Sequence, residues 1–139
     1  MESILLVEDS KFLRIATERI LTKAGYRVIC AGDGEEALLL AVNDLPSLIM
    51  LDMLLPKLSG PEVLRSLKKN DRTSHIPVLV LSSLPQTNER KLVQEGAAAF
   101  LEKGALLDDP NLLLAAIHAA LAGNVVASPM ATSRPGFNV

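Results

Sequence analysis

Several short apolar runs of this chain end in, or are followed within two residues by, side chains that can bind a cation or a phosphoryl group. Glu8 and Asp9 follow the first run, and Asp52 follows a longer, wholly apolar one. Ser82 and Lys103 lie at the ends of two later runs. If the runs are parallel strands, their carboxyl ends lie at one edge of a sheet, where open α/β sheets place their ligands. We therefore expect the five side chains to converge on one crevice.

The chemistry of these groups indicates phosphoryl transfer assisted by a metal. Three carboxylates about 4 Å apart repel one another by several kcal/mol per unscreened pair. Lys103 offsets one charge, and a divalent cation would offset the rest; oxygen ligands without His or Cys suit Mg²⁺. An Asp can act as a nucleophile that forms an acyl phosphate, and Asp52, in mid-sheet, is the best candidate. Taken by itself, the Asp52 strand leaves open a plain capping role.

Apolar periodicity predicts five strand–helix units. Strands are expected over residues 4–7, 28–31, 48–51, 76–81 and 99–101, each followed by a segment of helical spacing. The fourth helix, about Thr87 to Glu95, is the weakest of these. The strict alternation of strands and helices argues for an α/β fold with a parallel sheet covered by helices on both faces. No Gly-x-Gly-x-x-Gly follows the first strand, which favours a flavodoxin-like, doubly wound (βα)5 fold with strand order 2-1-3-4-5.

Three local signals mark helix ends. Asp33 with Glu36, and Ser59 with Glu62, have the spacing of a capping box, in which a side chain and a main-chain amide bond reciprocally. Gly25 stands where a glycine commonly ends a helix. The Lys68-Lys69 pair is interpreted as a solvated helix face.

Composition limits the other possibilities. With 49% hydrophobic but 3% aromatic residues, the core must be aliphatic. A net charge of −2 gives no reason to expect direct DNA binding. A single cysteine, Cys30, fits a cytoplasmic location, and the absence of a signal peptide or an apolar run of roughly 20 residues argues against a membrane protein. We expect one domain over residues 1–122 and a flexible tail over residues 123–139.

The chain resembles the receiver domain of two-component response regulators over residues 3 to about 122. The matching pieces, each closing a strand, are Leu5-Leu6-Val7-Glu8-Asp9, Leu51-Asp52-Met53-Leu54-Leu55-Pro56 with Ser59-Gly60, Val80-Leu81-Ser82-Ser83 and Phe100-Leu101-Glu102-Lys103. The resemblance implies that Asp52 is the phosphoacceptor. It also implies that Asp9 ligates Mg²⁺ directly, that Glu8 acts largely through water, and that the backbone carbonyl of Met53 completes the protein ligands.

The same resemblance assigns roles to three further residues. Ser82 would hydrogen-bond the phosphoryl group, Lys103 would pair with it, and Phe100 would move with Ser82 on activation. One departure is Lys103-Gly104, where the family usually has Lys-Pro with a cis bond; a cis bond to a non-proline residue costs about 2.5–4 kcal/mol, so a trans or rearranged loop is expected.

Two apolar residues, Leu54 and Leu84, lie two positions beyond Asp52 and Ser82, where they flank the path of the hydrolytic water in this family. We therefore expect the phosphorylated state to lose its phosphate slowly.

Three functions are consistent with the sequence. The first is a stand-alone response regulator that is phosphorylated on Asp52 by a histidine kinase or a phosphotransfer protein and then binds an output partner. The second is an interaction module with a vestigial site. The third is a Mg²⁺-dependent phosphohydrolase, which usually needs a second acid–base carboxylate where Leu54 stands. The last helix-strand-helix face could also support a homodimer.

Overall fold

The computed structural model describes residues 2–82 and 93–123 of the chain. Five parallel strands form one sheet in the order β2-β1-β3-β4-β5. The strands are β1 (Ser3–Val7), β2 (Arg27–Ala31), β3 (Leu48–Asp52), β4 (Val78–Ser82) and β5 (Ala99–Glu102). The predicted α/β class and flavodoxin-like strand order are confirmed.

Five helices lie within the described part of the chain. They are α1 (Lys11–Lys23), α2 (Gly34–Asp44), α3 (Gly60–Lys69), α4 (Lys103–Asp108) and α5 (Pro110–Leu121). The Ser59–Glu62 capping box at the start of α3 is present. At α2, Asp33 accepts a bond from the Glu36 amide, but the Glu36 carboxylate accepts one from Gly32 rather than from Asp33. That second capping box is therefore only half formed.

Alternating side chains along the strands divide the core into two layers. One layer packs against α2 and α3 and includes Ile49, Leu51 and Phe100. The other packs against α1 and α5 and includes Met50 and Leu101. Helices on both faces leave the carboxyl edge of the sheet open for a site.

Strand β4 begins at Val78, whereas the sequence predicted a start at Ile76. Pro77 has no N–H to donate to a sheet ladder, and only its carbonyl takes part, accepting a bond of 3.0 Å from Ile49. Within the predicted helix over about Thr87 to Glu95, Val93 and Gln94 are helical, and residues 87–92 lie outside the described residues. So do the segments Ser83 to Leu84 and 124–139, and the predicted division into a domain and a flexible tail stays a prediction.

Helix α4 is an element that the sequence analysis did not predict. It begins at Lys103, directly after β5. The Lys103–Gly104 bond is trans, since no peptide bond in the described ranges is cis. Ala105 and the leucines that follow it favour helix, so the loop is rearranged into a turn and a half of helix.

The interpretation of the Lys68-Lys69 pair as a solvated helix face is wrong for Lys68. Lys69 is exposed, but Lys68 is half-buried. Its ammonium donates to the carbonyls of Ser74, at 3.1 Å, and Ile76, at 2.8 Å. Burial lowers the pKa of Lys68. Lys68 therefore ties α3 to the segment that leads into β4.

Among residues 2–82 and 93–123, no helix is long and apolar enough to cross a membrane.

Candidate functional site

Three carboxylates meet at the carboxyl edge of the sheet. Glu8 and Asp9 follow β1, and Asp52 is the last residue of β3. One oxygen of each lies within 4.8 Å of an oxygen of the others. Glu8 and Asp52 are each only 2% exposed, whereas Asp9 is exposed. Adjacent parallel strands bring these groups together, as the sequence predicted from their positions at strand ends.

Lys103 joins two of these carboxylates. Its ammonium lies 2.8 Å from Oδ2 of Asp52 and 2.9 Å from Oε1 of Glu8. Burial works to lower the pKa of Lys103, but the hydrogen bonds to Asp52 and Glu8 outweigh burial, and the pKa is raised. Lys103 is the first residue of α4, and although the Lys103–Gly104 bond is trans, its side chain reaches the acidic cluster.

Main-chain amides hold the other oxygen of each buried carboxylate. The Leu54 amide donates to Oδ1 of Asp52 at 3.2 Å, and the Ser10 amide donates to Oε2 of Glu8 at 3.1 Å. Burial raises the pKa of Glu8, and the charge of Asp52 adds to that effect, although the bonds from Lys103 and Ser10 oppose it. Both carboxylates are therefore fixed in orientation, and Glu8 carries an unfavourable charge.

Gly60 positions the main chain beside Asp52, a role that the sequence analysis missed. Its amide donates to the Met53 carbonyl at 3.0 Å. A Cβ at Gly60 would lie 2.6 Å from both the Asp52 carbonyl oxygen and the Met53 Cα. The Met53 carbonyl has a second lone pair with which it could ligate a metal. A glycine directly after a capping serine was the signal that could have indicated this close approach.

The two predicted switch residues lie on the same face of the sheet. Ser82 ends β4 and is 5% exposed, and Phe100 in β5 is 4% exposed. The register pairs Ser82 with Glu102 and Val80 with Phe100. Phe100 therefore lies on the strand next to Ser82, two residues before Glu102, the register partner of Ser82.

The donor set fits Mg²⁺. Three carboxylates and one ammonium leave a formal charge of −2 at a largely buried edge, and such a charge favours a divalent cation. The available ligands are all oxygens, the type that Mg²⁺ prefers. Asp9, being exposed, can also reach a hydrated ion.

Comparison with known proteins agrees with this arrangement. A family model described as the response regulator receiver domain matches residues 4–118. The chain is 42% identical over 89 residues, 64% of its length, to a probable transcriptional regulator ycf27 of Pyropia yezoensis, and it covers 35% of that protein. It is 39% identical over 101 residues, 72% of its length, to the response regulator PleD of Caulobacter vibrioides, and it covers 22% of that protein.

A crystal structure of a two-component response regulator of the LuxR family from Aurantimonas sp. superposes with a TM-score of 0.83 at 29% identity. The match covers 93% of this chain and 91% of that one. The fold, the order of the acidic, hydroxyl and lysine positions, and a family match over most of the chain all agree. This chain belongs to the response regulator receiver domain family.

Proposed function

We propose that the domain accepts a phosphoryl group on Asp52 from a histidine kinase or a histidine phosphotransfer protein, and signals through phosphorylation-dependent binding of an output partner. The observation that carries this proposal is the Lys103 ammonium, held between the buried carboxylates of Asp52 and Glu8. A capping role alone would not need an ammonium bonded to this carboxylate.

The site residues divide the work of phosphoryl transfer. An Asp52 oxygen attacks phosphorus, the bond from phosphorus to the donor nitrogen breaks, and the electron pair leaves with the donor imidazole. Asp9, Asp52 and the Met53 carbonyl would hold Mg²⁺, with Glu8 acting largely through water, and the cation would neutralise charge on the phosphoryl oxygens.

Protein groups complete the stabilisation of the phosphoryl group. The Leu54 amide, which already donates to Oδ1 of Asp52, holds the nucleophile in a fixed orientation. Lys103 pairs with the phosphoryl group once Asp52 has lost its charge. In this proposal the Ser82 hydroxyl binds the same group and Phe100 shifts with it, which changes the surface that an output partner recognises.

Slow hydrolysis is part of the proposal. Leu54 is 67% exposed beside Asp52 and offers neither an acid nor a base to a water molecule. This argues against the phosphohydrolase, which usually needs a second carboxylate there. We expect the phosphorylated protein to persist for longer than minutes. Leu84, the second residue in this expectation, lies outside the described residues.

Intact-mass measurement after incubation with acetyl phosphate, with and without MgCl₂, tests the proposal. The expected result is a persistent, Mg²⁺-dependent gain of one phosphate that Asp52→Asn abolishes. Ser59→Asn, outside the acidic cluster, serves as a control that still gains the phosphate. Failure of the wild-type protein to gain phosphate would favour the interaction module with a vestigial site. Rapid consumption of acetyl phosphate without an adduct would favour the phosphohydrolase.

The homodimer through the last helix-strand-helix face and the cytoplasmic location remain predictions.

A further inference from the structure

Arg14, in the first turn of α1, reaches back towards the acidic cluster. Its Nη1 donates to the main-chain carbonyl of Glu8 at 3.0 Å, and the side chain is half-buried. Side chains of a helix point towards its N-terminus, which places this guanidinium over the turn between β1 and α1. Neither the sequence motifs nor the proposed chemistry uses Arg14.

The carbonyl that Arg14 binds belongs to the peptide unit that joins Glu8 to Asp9. The β1–β2 pairing ends at Val7 and Ala31, and the Glu8 amide makes one last bond, to the Ala31 carbonyl at 3.0 Å. Beyond that point the sheet no longer fixes the main chain. The bond from Arg14 therefore sets the orientation of the one peptide plane that carries two of the three carboxylates.

The guanidinium also lies close to the main chain that follows β2. A Cβ on Gly32 would lie 3.6 Å from Nη1 of Arg14 and 3.9 Å from Oε1 of Glu36. Arg14 thus lies against the main chain that follows β2, near an acidic side chain. A guanidinium has five donors in a fixed plane and is always charged, so it suits a site where a carbonyl must be held rigidly.

We propose that Arg14 is a positioning residue for the metal site: by holding the Glu8–Asp9 peptide plane, it keeps both carboxylates aimed at the cation. The inference rests on the proposed function, since it presumes that Mg²⁺ binds at the cluster. Residues that orient metal ligands typically change metal affinity by about 10–100-fold when removed.

Charge and positioning predict opposite effects on Mg²⁺ affinity. If the guanidinium acted only through its charge, it would repel Mg²⁺, and its removal would tighten binding. If Arg14 acts by positioning, its removal weakens binding. The sign of the change therefore separates the two roles.

The test is a titration of the full chain with MgCl₂, followed by amide NMR signals of the turn after β1. The test variant is Arg14→Met, which keeps most of the apolar stem. Arg19→Met is the matched control, because Arg19 is an exposed arginine of the same helix. We expect the Kd for Mg²⁺ to rise at least about tenfold in Arg14→Met and to stay within about twofold of wild type in Arg19→Met.

A second readout separates positioning from a general loss of structure. The Mg²⁺ concentration for half-maximal phosphorylation by acetyl phosphate should rise by the same factor in Arg14→Met, while the rate at saturating MgCl₂ stays within about twofold of wild type. If Arg14→Met does not fold, Arg14→Lys provides the test, with an expected rise in Kd of at least threefold because its shorter, unforked side chain does not reproduce the bond.

Unchanged or tighter Mg²⁺ binding by the folded variant would overturn the inference, and the proposed function would stand if wild type still gains phosphate on Asp52. Absence of Mg²⁺ binding by wild type would overturn both.

Discussion

Replacing Glu8 by Gln should make the metal-free protein more stable, although Glu8 is bonded to a lysine. Two carboxylates at most 4.8 Å apart repel by at least about 3.5 kcal/mol at an effective dielectric constant of about 20, and an ammonium 2.9 Å away attracts by about 6 kcal/mol. Asp52 and, with more solvent screening, Asp9 repel Glu8, whereas Lys103 attracts it.

These electrostatic contributions nearly cancel, which leaves the cost of burying a carboxylate that is 2% exposed. A Gln of the same shape keeps one oxygen as an acceptor. We expect Glu8→Gln to raise the free energy of unfolding by about 1 kcal/mol at pH 7 in EDTA, the usual size of a single-substitution effect. The measurement is urea unfolding, with Glu102→Gln, an exposed site at the end of β5, as a control within about 0.5 kcal/mol of wild type.

The pH dependence has a defined sign. Burial raises the pKa of Glu8 above its ordinary value of 4.5, so the folded state binds this proton more tightly than the unfolded chain does. The stability that the wild-type protein gains from this tighter proton binding by Glu8 is present below pH 4.5 and is lost as the pH rises through the raised pKa. The advantage of Glu8→Gln should therefore be small near pH 4 and reach its full size at neutral pH.

Mg²⁺ should remove the advantage of Glu8→Gln. At 100 times its Kd, a ligand stabilises the folded state by about 2.7 kcal/mol, and a variant with tenfold weaker affinity gains about 1.4 kcal/mol. The difference cancels an advantage of about 1 kcal/mol. If Glu8→Gln is less stable than wild type in EDTA at pH 7, the attraction of Lys103 exceeds the cost of burial, and the reasoning is refuted.

Three further predictions concern residues that support the site. Gly60→Ala should lower the free energy of unfolding by about 1–3 kcal/mol, because its Cβ meets the Asp52 and Met53 main chain. Gly104→Ala, with open space around its Cβ, should be neutral or stabilise by up to about 1 kcal/mol. Equal urea midpoints for the two variants would contradict this. Lys68→Ala should lower the free energy of unfolding by about 1–3 kcal/mol, because two carbonyls lose their donor. Lys69→Ala should lower it by less than about 0.5 kcal/mol, and urea unfolding measures both. Hydrogen bonds from Ser59, above all from its amide, lower the pKa of Glu62, so Glu62→Ala should destabilise the protein at pH 7. The difference in free energy of unfolding between the variant and wild type should shrink as the pH falls below 4.5. A constant difference between pH 7 and pH 3 would contradict that.

The sequence predicted what local pattern and topology determine. Continuous apolar runs such as 48–51 identified strands buried on both faces, and their alternation with helical segments identified a parallel sheet. The absence of Gly-x-Gly-x-x-Gly after the first strand favoured the strand order that the structure has. Because parallel strands end at one edge, Glu8, Asp52 and Lys103 could be expected to meet without any distance information.

Short elements and contacts with main-chain atoms were not predictable. Helix α4 is only six residues long, too short for periodicity to reveal. Lys68 looks solvated in sequence, and its carbonyl partners come from the segment that leads into β4. The role of Arg14 depends on the main-chain carbonyl of Glu8, and a carbonyl leaves no signature in the sequence.

The most direct test of the proposed function is to locate the phosphate. After incubation with acetyl phosphate and MgCl₂, borohydride reduction converts an aspartyl phosphate to homoserine, which peptide mass spectrometry identifies at a single position. We predict homoserine at residue 52 in the wild-type protein and none in a sample treated with EDTA. Homoserine at Asp9 or at another acidic residue, with Asp52 unmodified, would contradict the assignment of Asp52 as the phosphoacceptor.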